Sequence, residues 1–220
     1  MTKIIQESDP DSLDLACTSL REGKIISFFC DTVYGLAVDA SNSDAVESLY
    51  QIKSRNKRKP IVIFLKDLAE AKKIFYFDEI AEKIAEQFLP GNLTIILKTH
   101  TKSSASLSPN LNYLRDQFLG FRIPKSPFIN QLLKKFNGIL AVTSANPSSQ
   151  KAATNANDVE KYFSNSNLKI LIDSGAAKGT TEGNTASTII RIHDKKISIL
   201  RHGAIASSEI MNYEKHRTIT

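Results

Sequence analysis

Short apolar runs at 24–30, 61–65, 93–97, 139–142 and 168–172 alternate with stretches whose apolar residues recur at helical spacing, and this alternation is the strongest constraint on the fold. Runs of that length suit strands buried on both sides, and such strands need helices to cover them. The pattern predicts an α/β protein: a twisted mixed parallel and antiparallel sheet with flanking helices. Leu13, Ala16, Cys17 and Leu20 mark a first helix that Gly23 closes, and Val46, Leu49 and Tyr50 share one face of a second over 43–52. Further helices are expected over 67–73, 78–89, 127–136 and 157–163, and a short helical stretch before Gly120. The segment 31–36 reads as a polar break, and strands over 186–192 and 196–201 form a hairpin around Asp194 and Lys195. One domain over 1–212 accounts for the whole pattern, with a frayed tail over 213–220.

Five basic residues, Lys53, Arg55, Lys57, Arg58 and Lys59, run directly into the apolar strand at 61–65. A charge cluster fixed at the entrance of a buried strand is placed to hold phosphates against preorganised positive groups. A solvated loop is the competing reading of such a run. The formal net charge of +6 and the pI near 9.2 favour anionic partners without implying nucleic acid, and outside the cluster the chain is close to neutral. Hydrophobic and charged fractions of 41% and 24% match ordinary globular proteins and argue against disordered or fibrous classes. Cys17 and Cys30 lack metal-site spacing; they read as reduced thiols, with a bridge between them left open. The first residues lack the apolar run of a signal peptide, and no segment has the length of a membrane span. A cytoplasmic protein with no membrane partner is the expectation.

Four polar segments fall where strands meet loops: 31–35, the basic cluster, 120–124 and 143–146. Such junctions are where ligands bind in α/β sheets. Singly, each has a local explanation: Thr32 can cap a turn, Arg122 can pair with a surface carboxylate, and Ser144 and Asn146 can bond their own backbone. In order along the chain, however, stand Asp31-Thr32-Val33-Tyr34-Gly35-Leu36, Lys53-Ser54-Arg55 with Pro60, Pro90-Gly91-Asn92-Leu93-Thr94 and Arg122-Ile123-Pro124. Ser144-Ala145-Asn146, Ile172-Asp173-Ser174-Gly175, Ala186-Ser187-Thr188 and Leu200-Arg201-His202-Gly203 follow. With these motifs the chain resembles the YrdC-like family, the threonylcarbamoyl-adenylate synthases that begin the tRNA modification N6-threonylcarbamoyladenosine, in its short single-domain bacterial form.

The resemblance implies a sheet twisted around a large concave basic cavity. It also implies a nucleotidyltransferase that joins L-threonine, bicarbonate and ATP into threonylcarbamoyl-AMP and pyrophosphate. Both reacting partners are anions, so the chemistry calls for positioning and positive charge rather than a side-chain nucleophile. By resemblance the catalytic group is Lys53, Arg55, Ser144 and Asn146. In an extended segment residues two apart share a side, so Lys53 and Arg55 would both face the cavity, as would Ser144 and Asn146. Thr32, Arg122, Ser144 and Ser187 match positions that hold threonine, Arg122 through a bidentate carboxylate contact. Arg55, Lys59, Asn146, Thr154 and Arg201 match positions that hold ATP. Magnesium is expected with the triphosphate and without a dedicated protein site. A separate transferase complex, with tRNA, would take the product.

Departures from the family pattern are Phe29-Cys30 in place of Pro-Thr, Phe64 in place of His, Ser149 in place of Gly and His202 in place of Pro. The first three bear on the substrate pocket, and His202 reads as a surface histidine. Segment 101–109, rich in Ser and Thr, reads as a loop and a candidate lid. Two alternatives stand beside the main reading: an RNA-binding module that grips phosphates in a basic cavity, and a paralogue that activates a different carbamate or acyl group.

Overall fold

The computed structural model describes residues 2–31, 33–57, 59–101, 106–111, 117–175 and 186–215. The chain opens with β1 (Lys3–Gln6), α1 (Ser12–Arg21), β2 (Ile25–Cys30), β3 (Val33–Asp39) and α2 (Ser43–Ile52). It continues through β4 (Val62–Phe64), α3 (Leu68–Ile74), α4 (Glu79–Phe88), β5 (Leu93–Lys98) and β6 (Phe118–Arg122). It closes with α5 (Pro127–Phe136), β7 (Leu140–Ser144), α6 (Ala156–Phe163), β8 (Leu168–Asp173), β9 (Thr188–His193), β10 (Lys196–Arg201) and α7 (Ser207–Lys215). Short polar side chains start the helices: Asn42, Asp67, Asp78, Ser126 and Asn155 each accept a first-turn backbone N–H. Asn137, in the left-handed region, ends α5.

The strands form one sheet in the order β1-β8-β2-β3-β7-β4-β6-β5-β9-β10. Pairs β1/β8, β2/β8, β4/β6 and β5/β9 are parallel, while β2/β3, β3/β7, β4/β7, β5/β6 and β9/β10 are antiparallel. The mixed sheet with flanking helices is as the sequence predicts. Asp194 and Lys195 both take positive φ at the β9–β10 turn, as a two-residue hairpin requires.

Two local readings change. Residues 33–36 belong to a seven-residue strand, β3, because Asp31 takes positive φ and reverses the chain within two residues. The described part of the short helical stretch expected before Gly120 is a single 3-10 turn at Pro109–Leu111; 112–116 lie outside the described residues, and β6 begins at Phe118 and pairs with β5. α7 carries ordered chain beyond position 212, so the proposed tail begins inside a helix, and 216–220 lie outside the described residues.

Cover on the two faces is unequal. One face packs against α2, α3, α4 and α6 in a large core that includes Ile63, Ile95, Phe121 and Ala141. The other packs against α1 and α5 through Leu20, Phe28, Leu132 and Leu133. α1 and α5 meet each other and cover the β2/β8 half. The floor from β3 to β9 on that face lines a cavity instead. Part of the 101–109 loop is docked: Leu107 is buried, as is Leu111 just beyond it, and the Ser108 N–H bonds the Ala40 carbonyl at 2.8 Å. Residues 102–105 lie outside the described residues. Among the described residues no helix is long and apolar enough to cross a membrane.

Candidate active site

The cavity, about 330 Å³, is built by the two-residue repeat of six neighbouring strands. Gly35 pairs with Ser144, Val142 with Val62, Phe64 with Arg122, Gly120 with Ile96, and Thr94 with Ile189. All of these residues line it, so the floor is one continuous face of the sheet. Gly35 and Gly120 keep that floor low, because a Cβ at either would come within 3.3 Å of a neighbouring side chain. Cys30, Tyr34, Arg55, Pro60, Ser187 and Arg201 complete much of the rim.

At one end Arg122 reaches up from the last position of β6, only 6% exposed. Its Nε donates to the Gly91 carbonyl at 2.8 Å, and its Nη2 donates to Asp31 Oδ2 at 2.5 Å and to Asn92 Oδ1. Phe64 lies beside this guanidinium, 5.9 Å from ring centre to Cζ. Cys30 is buried there and its thiol is pushed up to about 12, chiefly by burial, which leaves it protonated and unreactive. Cys17 is likewise a free, buried thiol.

At the β9 end, Thr94 Oγ1 and Ser187 Oγ are 2.9 Å apart. Arg201 folds its guanidinium back so that Nε and Nη2 donate to the Ser187 carbonyl at 3.1 and 2.7 Å, and Nη2 to Ser187 Oγ at 3.0 Å. Burial of the head group, and then the field of Arg122, push Arg201 below its ordinary pKa. Gly203 holds this corner: a Cβ there would overlap the Ala186 carbonyl and the backbone of Ser187 and Thr188.

The β7 end gathers the remaining charge. Ser144 stands at the tip of β7 and lines the cavity. Its hydroxyl donates to Asn146 Oδ1 at 2.6 Å, while the Asn146 amide donates to the carbonyls of Pro147 at 3.0 Å and Gln150 at 2.6 Å. Lys53, 1% exposed, donates to the Ser144 carbonyl and to Asn146 Oδ1 at 3.1 Å. Burial, with a smaller contribution from Arg55, pushes this ammonium down to about 7.

Lys53 and Arg55 do not share a side. Lys53 caps α2, Ser54 takes φ +49, and the N–H groups of Ser54 and Arg55 bond the carbonyls of Gln51 and Tyr50. This is a Schellman turn rather than an extended segment, so the alternation argument does not apply. The turn sends Lys53 inward behind Ser144 and Arg55 into the cavity wall. There Arg55 donates to the carbonyls of Lys59 at 3.2 Å and Pro60 at 3.1 Å.

The structure thus brings Arg55, Arg122, Ser144, Ser187 and Arg201 to one cavity and sets Lys53 and Asn146 directly behind it. Lys59 contributes its carbonyl to the Arg55 clasp while its side chain is exposed. Thr154 is half-buried just beyond Ala153, which bonds Tyr34 and Ala145 through its backbone, and it is not among the lining residues. Thr32 and Arg58 lie outside the described residues. Ser149 takes φ +73, a conformation that suits the Gly expected there, and His202 is exposed and bonded to Ser207 Oγ at 2.7 Å. The sequence reading left Asp31, Asn92 and Thr94 out of the site, although all three stand inside motifs it quoted. Asp31 adjoins Thr32, a position already assigned to the substrate, while no local pattern marks Asn92 or Thr94.

The family described as telomere recombination, which groups Sua5, YciO and YrdC, matches residues 18–203. A Methanocaldococcus jannaschii protein with the provisional name threonylcarbamoyl-AMP synthase is 34% identical over 91% of this chain and 89% of its own length. The Bos taurus threonylcarbamoyl-AMP synthase is 29% identical over 90% of this chain and 70% of its own. The structure of P. abyssi Sua5 complexed with L-threonine superposes with a TM-score of 0.84 at 25% identity. That match covers 97% of this chain, which spans 60% of the Sua5 chain. Motif order, fold and family match agree, and the chain belongs to the Sua5, YciO and YrdC family.

Proposed function

We propose that the chain is an L-threonylcarbamoyladenylate synthase, a nucleotidyltransferase that forms threonylcarbamoyl-AMP and pyrophosphate from L-threonine, bicarbonate and ATP. The observation that carries this reading is the cavity lining: three guanidiniums and the hydroxyls of Ser144 and Ser187, with no acidic side chain among its described residues. Such a lining suits two anions held together while pyrophosphate departs. The likeness to relatives that bear this name supports the choice of substrates.

Threonine's amine captures CO₂ with loss of a proton, or bicarbonate with loss of water, as a carbamate; a carbamate oxygen then attacks the α-phosphate and the bond to pyrophosphate breaks. Arg122 holds the amino-acid carboxylate at the β6 end, with Ser187 and Thr32 as further contacts. Arg55 and Arg201, with Lys59 and Thr154, receive the nucleotide. Because Asp31 already neutralises Arg122, the positive field that meets the phosphates comes mainly from Arg55 and Arg201. Lys53 and Asn146 fix the Ser144 tip, and Lys53 adds charge when an arriving phosphate raises its proton affinity. The described lining residues offer hydroxyls but no carboxylate to anchor magnesium, so the donor set fits an ion that enters mainly on the phosphates of ATP. When bound, that ion withdraws charge from the departing pyrophosphate. The product then passes to a separate transferase complex that acts on tRNA. A cytoplasmic site of action goes with this reading.

The test is pyrophosphate release from Mg-ATP with L-threonine and bicarbonate, each omitted in turn, and with serine in place of threonine. Release that needs both co-substrates, with a product of the mass of threonylcarbamoyl-AMP, supports the proposal. Turnover with a different amino acid points to the paralogue that Phe64 and Cys30 allow. A folded protein that binds RNA and turns over nothing overturns it.

A further inference from the structure

Arg122, the residue best suited to a substrate carboxylate, already holds a carboxylate of its own. The Asp31–Arg122 pair is close and nearly dry, with side chains 12% and 7% exposed at 2.5 Å. Nε is directed at the Gly91 carbonyl, and Nη2 at Asn92 and Asp31. A guanidinium offers five N–H donors, so Nη1 is the nitrogen without a bond to a described residue. A ligand carboxylate that binds through two parallel bonds must take the Nη1/Nη2 pair, and Nη2 is engaged.

The three partners of Arg122 are not equally fixed. Gly91 is tied by its own N–H to the Ile123 carbonyl at 2.9 Å, and the Asn92 carbonyl accepts the Thr188 N–H at 3.0 Å. That segment is pinned between two strands. Asp31 instead sits on the tip of the β2–β3 hairpin at φ +54. Apart from Arg122, the contacts its carboxylate receives from described residues are long, from the Cys30 thiol at 3.7 Å and the Lys125 N–H at 3.4 Å. It is the partner that can yield.

We propose that Asp31 is a place-holding carboxylate, which keeps Arg122 neutralised and aligned until the carboxylate of an amino-acid substrate displaces it from Nη2. It is a positioning and specificity residue. A ligand without a carboxylate leaves the internal pair in place, whereas an amino acid exchanges one ion pair for another and gains the Nη1 contact. The released Asp31 carboxylate then lies beside the bound amino acid, where it favours a ligand carrying a neighbouring ammonium. The proposal rests on the reading of the cavity as an amino-acid site.

The experiment is calorimetric binding of L-threonine and of threoninol, which lacks the carboxylate, to the wild-type chain and to Asp31→Asn. Steady-state kinetics run on the same preparations. Asn preserves the shape and a neutral acceptor, so it competes less for Nη2. Binding of L-threonine should tighten at least threefold in Asp31→Asn, with KM for threonine falling in step, KM for ATP unmoved and threoninol binding unchanged. Unchanged or weaker threonine binding in a variant with the wild-type melting temperature overturns the proposal, and leaves Asp31 as a brace for the guanidinium. Absence of threonine binding by both proteins overturns it as well. If threonine binds and tightens in the variant but wild-type protein releases no pyrophosphate, the exchange stands and the synthase reading falls.

Discussion

The two ends of the cavity handle positive charge in opposite ways. At the β6 end Arg122 is paired with Asp31, so the charge is settled before any ligand arrives. At the β7 end Lys53 is just as buried, but its described partners are the neutral oxygens of Ser144 and Asn146. Its proton affinity falls to about 7 as a result. A guanidinium cannot relieve burial by losing its proton, so it takes a counterion; an ammonium can. The comparison separates an end whose charge is settled by an internal counterion from one whose cation can shed its proton; under the proposed function the first is the amino-acid end and the second the phosphate end.

Removing the cation from the paired end should do the most damage. Arg122→Met leaves Asp31 uncompensated at 12% side-chain exposure, and a loss of about 3 kcal/mol is expected by urea unfolding. The double change Arg122→Met with Asp31→Asn should restore most of it; equal loss in both would show that the pair is not what the single change breaks. At the unpaired end, Lys53→Ala or Arg55→Ala should lower pyrophosphate release about 10²-fold, the scale of lost transition-state charge stabilisation. Near-wild-type rates in either folded variant would remove that residue from the electrostatic role.

The depressed pKa of Lys53 makes a third, smaller distinction. Below pH 7 Lys53 is protonated in both folded and unfolded chains and the cost of its burial is fully present. Between about 7 and 10 the unfolded chain binds the extra proton, so folding stability gains about 1 kcal/mol per pH unit from this group. Subtracting the curve of Lys53→Met isolates that gain from the opposing slope of the buried thiols Cys17 and Cys30. Parallel curves would return Lys53 to an ordinary lysine. The smallest effect concerns the turn that separates Lys53 from Arg55. Ser54→Gly should stabilise by roughly 0.5 kcal/mol, since φ +49 costs a serine and not a glycine. A large fall in activity without unfolding would show that the turn's stiffness, and not only its shape, divides the two cations.

Much of this architecture is legible in the chain because its signals are local. Asn42 and Ser126 announce α2 and α5, and the two-residue turn at Asp194 and Lys195 announces the closing hairpin. β3 is hidden because Tyr34 and Gly35 break the run of apolar letters, although Tyr34 is buried as deeply as its neighbours. The Schellman turn is hidden for a related reason: its left-handed position holds Ser54 where glycine is the usual marker. At the site, residue types could be assigned from motifs, but their partners could not. That Arg122 meets Asp31, 91 positions away, depends on the placement of β2 and β6 in the sheet, which no local pattern encodes.

The two-residue repeat of the floor divides the chain's duties between neighbouring letters. In β4 to β7, Val62, Phe64, Thr94, Ile96, Gly120 and Val142 meet the cavity, while Ile63, Ile95, Phe121 and Ala141 face the opposite core. A substitution at one of the first set alters what the protein accepts and leaves the helix-covered side intact. One at the second set unsettles the molecule before it touches the ligand. Positions such as Thr94 and Ile96 can therefore change in preference at lower risk to folding, whereas Phe64 and Val142 also belong to the core beneath α1 and α5, so change there touches both duties.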